Sequence, residues 1–197
     1  MTKGKYQGIY NLYGSVIIPT QYTSIYKEGG KYLVENDSLK GIVNAYGSTV
    51  IPCKYNTIEY EDGVYYVSAG GKYGIYNTYG STILPCRYSS IRKEGRQYLV
   101  ENNGLQGIVN TYGSTIIPCR YNKIQQEGNI YYVTANGKKG IFNRYGSTII
   151  PCQYDEIISL GHRYIVKRDK KFGVYNQYGS TILPCQFQNC LLYTSPS

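Results

Sequence analysis

The sequence predicts an all-β chain of tandem 33-residue repeats, each a three-stranded antiparallel unit, stacked as an open solenoid or superhelix. Three observations carry this. Gly14, Gly47, Gly80, Gly113, Gly146 and Gly179 recur at a fixed 33-residue spacing, each inside a near-copy of one phrase (GIYNTYGSTILP in the third copy). Self-similarity at such a period is the mark of a repeat architecture. Each copy holds short β-branched and aromatic runs bounded by turn residues, and no stretch has a sustained helical apolar period. A β-propeller is the alternative; a four-stranded blade commonly takes ~40–45 residues, more than one period supplies.

Residues 65–97 form one period. Tyr65–Ser68 reads as a first strand, Tyr73–Asn77 as a second, and Ser81–Leu84 as a third that stops at Pro85. Asn77 and Gly80 suit the first and fourth positions of a type I turn, with the glycine in the left-handed conformation of a bulge. All six copies keep both residues, from Asn11/Gly14 to Asn176/Gly179. The glycine opening the second strand (Gly8, Gly41, Gly74, Gly107, Gly140, Gly173) implies a close approach, for which a neighbouring tyrosine ring is the expected occupant. The proline after the third strand lacks an N–H, so it ends the ladder or lies on an edge.

A second period lies inside the first. Leu33 goes with Val43, Tyr66 with Tyr76, Leu99 with Val109 and Tyr132 with Phe142; Ile165 with Tyr175 departs from the pattern. Small with small and large with large predicts contact across one hairpin, which requires an odd-length loop between the first and second strands. It also predicts packing that repeats every two units. An isolated hairpin is marginal in water, so each unit must bury its faces against its neighbours.

The phrase at 71–91, GKYGIYNTYGSTILPCRYSSI, resembles the WG-repeat family, also called KWG repeats. The family unit reads roughly G-K-W-G-y-I-D-x-x-G-x-x-V-I-P-x-x-Y-D-x-I. Gly71, Lys72, Gly74, Asn77 (for Asp), Gly80, Pro85, Tyr88 and Ile91 fall on it. The resemblance extends over about residues 3–188. The family's Trp position holds Gln7, Lys40, Tyr73, Gln106, Lys139 and Phe172, so any role of that indole is not carried over. The resemblance implies a bacterial β-rich array with no reaction attached to the repeat.

The array occupies 1–189. The terminal string Cys190–Ser197 breaks the pattern and resembles the translation of a sequencing-library adaptor; it is set apart as a non-native tail. The chain is then expected to be a segment of a longer protein. No apolar run approaches the ~20 residues that cross a bilayer.

Net charge is +9, and Tyr reaches 26 residues against three Phe and no Trp. The basic balance favours anionic partners. With one histidine, His162, no nucleophile–base–orienter set can be assembled, and no catalytic role, cofactor or metal is expected. Cys53, Cys86, Cys119, Cys152 and Cys185 each follow a repeat proline. Without C-x-x-C or a His/Cys cluster they read as small packed side chains rather than zinc ligands or disulfides.

Two features remain as binding candidates. The turn tyrosines Tyr13, Tyr46, Tyr79, Tyr112, Tyr145 and Tyr178 either fold over the next unit or form an exposed recognition stripe. Lys54, Arg87 and Arg120 each precede a tyrosine, and alternation turns the ring inward and the cation outward. The expected function is a non-catalytic scaffold that binds a protein or peptide through a tyrosine-rich face. Polyanion or glycan binding through the Lys/Arg–Tyr rows and an accessory array of a larger enzyme are the alternatives. Nucleic acid is not expected.

Overall fold

The computed structural model describes residues 2–188. Cys190–Ser197 lies outside the described residues. All regular structure among the described residues is β-strand, arranged in six antiparallel sheets. The first sheet has three strands, Thr2–Lys3, Tyr6–Tyr10 and Val16–Tyr22. Each later sheet is a meander of four consecutive strands. The third sheet is Thr57–Glu61, Val64–Ala69, Lys72–Asn77 and Thr82–Tyr88, and the others follow it at the repeat spacing.

The chain divides into two compact units, Met1–Arg92 with Thr111–Gly113, and Lys93–Asn110 with Ser114–Ser197.

All-β tandem antiparallel units are thus what the chain forms, but with four strands per sheet rather than three. The additional strand precedes the three read from sequence: Ser24–Glu28, Thr57–Glu61, Ser90–Glu94, Lys123–Glu127 and Glu156–Leu160. It carries one recurring apolar residue (Ile25, Ile58, Ile91, Ile124, Ile157) among mostly exposed positions, so it shows little alternation. The strand expected to stop at Pro85 continues to Tyr88. Pro85 lies exposed within the edge strand, where its missing N–H costs no ladder bond.

The hairpin between the second and third strands of each four-stranded sheet is closed by two residues, not an odd number. Ala69 pairs with Lys72 across Gly70 and Gly71, both at positive φ, as are Asp37/Ser38, Asn103/Gly104, Asn136/Gly137 and Asp169/Lys170. Two left-handed residues make the turn whose twist matches that of the strands. Tyr66 therefore pairs with Ile75, and Tyr65 with Tyr76, so Tyr66 and Tyr76 face opposite sides of their sheet. The alternation of bulk arises between sheets. Leu33 shares a core cluster with Tyr76 of the next sheet, and Leu99 with Phe142. A sheet slim on both faces meets a sheet bulky on both faces, which fills the gap evenly. Tyr132 with Tyr175 is the exception, large against large.

In the first five sheets one edge-strand position is sealed: Ile18, Ile51, Leu84, Ile117 and Ile150 are at most 1% exposed. Val34, Val67, Val100, Val133 and Val166 match them in the four-stranded sheets, whereas Leu183 and Phe187 of the last sheet are 43% and 41% exposed. Beside them Tyr55, Tyr88, Tyr121 and Tyr154 are buried.

The strand glycine meets backbone, not a tyrosine ring. Between the pairs Tyr73/Tyr88 and Ile75/Leu84 the edge strand spends two more residues than its partner. This bulge presses Cys86 onto Gly74, where a Cβ would lie 2.7 Å from the Cys86 nitrogen.

Candidate functional site

Each turn tyrosine sits in a turn built by one asparagine. The Asn77 Oδ1 accepts from the Tyr79 N–H at 3.0 Å and the Ser81 N–H at 2.9 Å, while Gly80 N–H donates to the Asn77 carbonyl at 3.1 Å. The same clamp holds Tyr13, Tyr46, Tyr145 and Tyr178. Asn110 Oδ1 likewise accepts from Ser114 N–H, beside Tyr112. Such side-chain-closed turns fix the backbone locally.

The glycine of the turn takes φ between +81° and +91°. It also lies against the preceding sheet: a Cβ on Gly47 would fall 1.9 Å from the Ile17 carbonyl oxygen, one on Gly80 2.3 Å from that of Val50, and one on Gly146 2.0 Å from that of Ile116. Gly14 has nothing within 4 Å. From the second copy onward, the turn backbone supplies a contact between repeats.

The rings themselves point outward. Tyr13, Tyr46, Tyr79 and Tyr112 in the first unit are 89–94% exposed, and Tyr145 and Tyr178 in the second are 71% and 79% exposed. The reading in which each ring folds over the next unit is therefore corrected. Antiparallel order puts these turns at the same sheet end as the turns joining the first and second strands. Arg144 lies over the Tyr145 ring at 4.5 Å from the centroid and also contacts its hydroxyl.

Lys54, Arg87 and Arg120 lie exposed on edge strands, each followed by a buried tyrosine. Their cations lie back over those rings at the surface. Lys54 Nζ lies 5.6 Å from the Tyr55 centroid, and the Arg87 and Arg120 guanidinium carbons lie 5.2 and 5.4 Å from those of Tyr88 and Tyr121. Arg87 Nη2 donates to the Tyr88 hydroxyl at 3.1 Å, and Arg120 Nε to that of Tyr121 at 3.2 Å. Each cation covers the ring that the sequence pairs with it.

The five described cysteines are free and half-buried. Their thiols donate to backbone carbonyls, as Cys86 to Lys72 at 3.1 Å and Cys119 to Leu105 at 2.8 Å. Burial pushes the Cys53 and Cys152 thiols up, away from thiolate chemistry.

Sequence reading missed the tyrosine pairs of the core. The hydroxyls of Tyr55 and Tyr76 lie 2.7 Å apart, as do those of Tyr154 and Tyr175, with rings edge to face. Burial, then the bond to Tyr175, raises the Tyr154 phenol to about 12; Tyr55 is raised for the same reasons. The register that joins these residues was not visible in one dimension.

No curated protein matches this chain. Solved structures give distant likenesses. Hsv2p of Kluyveromyces lactis aligns at 13% identity over 90% of this chain and 70% of that one, with a TM-score of 0.30. The AfRom2 CNH domain aligns at 10% over 91% and 76% (TM-score 0.32), and the WD40 β-propeller domain of Doa1 at 10% over 80% and 66% (TM-score 0.30). Alignments at these scores fix neither fold nor function for this chain. The family comparison bears on it directly. Residues 41–73, one full period, match the WG containing repeat, the family that the repeated phrase resembles.

Proposed function

We propose that this chain is a non-catalytic repeat scaffold that binds a protein or peptide partner along its turn tyrosines. The observation behind this is the exposure of six rings on backbone turns that are otherwise clamped. The clamp is made by the asparagine side chain and the backbone, and the glycine lies against the preceding sheet, yet every copy keeps the tyrosine. Tyrosine supplies large contact area with few rotatable bonds, which suits it to recognition.

The test compares the whole chain with a variant carrying Tyr13→Ser, Tyr46→Ser, Tyr79→Ser and Tyr112→Ser, as bait for polypeptides. The expected outcome is an unchanged melting temperature with loss of a partner that wild type retains in moderate salt. Equal retention by both baits would sink the proposal.

Polyanion binding through Lys54, Arg87 and Arg120 is the weaker reading, because each cation already covers a ring of its own sheet. Retention on heparin that survives rising salt less well in the triple alanine variant would favour it, since phosphate and sulfate contacts carry steep salt dependence.

A further inference from the structure

Within the first unit, a cleft of about 250 Å³ opens between the second and third sheets, lined by Glu28, Gly29, Lys31, Leu33, Ile42, Tyr60 and Tyr65. Its floor is apolar: Ile42 is 4% exposed and Leu33 packs into the same cluster. Its wall is aromatic. The rings of Tyr60 and Tyr65 lie 5.0 Å apart, tilted by 49°, and Tyr60 is 56% exposed.

One cation is fixed at this wall. Lys31 Nζ donates to the Thr78 carbonyl at 2.8 Å and to the Tyr65 hydroxyl at 3.3 Å, and lies 5.3 Å from the Tyr65 centroid. An ammonium has three N–H donors, so these two bonds leave one for an incoming acceptor. Glu28, the cross-strand neighbour of Lys31, supplies an acceptor on the rim.

The second unit shows what the same place looks like when closed. Sixty-six residues on, Gln97 replaces Lys31 and Gln126 replaces Tyr60. There Gln97 Nε2 donates to Gln126 Oε1 at 2.8 Å, Tyr131 hydroxyl donates to Gln97 Oε1, and Gln97 is 8% exposed. One bond joins the two glutamines, and their other amide groups are taken by Tyr131 and the Gly128 carbonyl. In the first unit a charged lysine and an exposed ring stand in their place.

We infer that this cleft is a binding site for the free C-terminus of a polypeptide ending in an apolar residue. The terminal carboxylate takes the remaining Lys31 donor. The last side chain lies on Leu33 and Ile42 against the Tyr60 ring, and a backbone N–H of the peptide donates to Glu28. A fixed ammonium beside an apolar floor suits that combination of charge and side chain. Lys31 rests on the backbone of the turn that carries Tyr79, but no turn tyrosine ring lines the cleft, so the site does not depend on those rings.

The experiment is calorimetric titration of the whole chain with short glycine–serine peptides ending in leucine or phenylalanine. Each is used with a free carboxylate and as the amide, alongside N-acetylphenylalanine. Saturable binding of the free acid is expected, with the amide weaker by about tenfold or more, the loss of one charge-assisted hydrogen bond. The Lys31→Gln, Tyr60→Gln variant copies a pair the second unit already accommodates, and is expected to melt like wild type and lose binding. The reverse change, Gln97→Lys with Gln126→Tyr, is expected to add a second site and raise the stoichiometry. Failure of every peptide to bind would overturn the inference, as would equal binding of acid and amide, or binding that persists in the double glutamine variant. N-acetylphenylalanine binding as tightly as the peptides would overturn the polypeptide as occupant. The four-tyrosine variant is expected to bind these peptides like wild type, so loss of the stripe partner and loss of peptide binding are read apart.

Discussion

Gly14 and Gly80 occupy equivalent turn positions and separate two demands that the other copies combine. Both lie at positive φ, +81° and +88°, where an L side chain is strained. Only Gly80 has a carbonyl oxygen in the space of a Cβ, at 2.3 Å. Gly14→Ala is therefore expected to cost about 1–2 kcal/mol, the left-handed backbone penalty alone. Gly80→Ala is expected to cost that and about 1–3 kcal/mol more, because the turn must move off the preceding sheet. Urea denaturation of the two variants measures the difference. Equal costs would mean that the turn conformation, not the contact between repeats, keeps the glycine.

The element that repeats in packing is a pair of sheets. A slim sheet presents Leu33 or Leu99 to its successor, which answers with Tyr76 or Phe142. Leu99→Tyr alone puts two large rings where one fits and is expected to destabilise by about 1–3 kcal/mol. Adding Phe142→Val is expected to recover part of that loss, since the summed volume falls back toward the original. A chemical-denaturation cycle over the two singles and the double reads the coupling. Additive effects would show that Leu99 and Phe142 do not share a packing constraint.

Across the whole molecule, buried phenols make stability sensitive to alkaline pH. The folded-state pKa of Tyr154 is raised to about 12 against an ordinary value of 10.0, and those of Tyr55, Tyr131 and Tyr164 are raised as well, burial being the first cause in each. A raised folded pKa means that the folded state holds the proton more tightly. This contribution is complete below pH 10 and is lost as pH climbs from about 10 toward 12. Thermal melts are expected to be level from neutral pH to about 10 and to fall steeply above it. Tyrosinate absorbance from Tyr55, Tyr131, Tyr154 and Tyr164 is expected to appear only with unfolding. A single step near the ordinary value, with the fold intact, would contradict the burial of these hydroxyls.

Local chemistry was legible in one dimension. The asparagine–glycine turns, the inward tyrosine beside Lys54, Arg87 or Arg120, and the repeat itself follow from residue types at fixed spacing, because turn geometry and strand alternation involve neighbours in sequence. The first strand of each sheet was not legible, since Thr57–Glu61 and its equivalents bury so little that no apolar period marks them. The spacing by itself determined that this protein is a tandem β-array with one tyrosine turn per unit. Tertiary structure decided which residues meet: that Leu33 packs with Tyr76 rather than Val43, that Gly74 faces a bulged backbone, that the turn rings stand in solvent, and that Lys31 reaches Tyr65 and Thr78. The physical reason is register. One residue more or less in a hairpin loop exchanges the faces of a whole strand, and a sheet-to-sheet contact joins residues that no local pattern links.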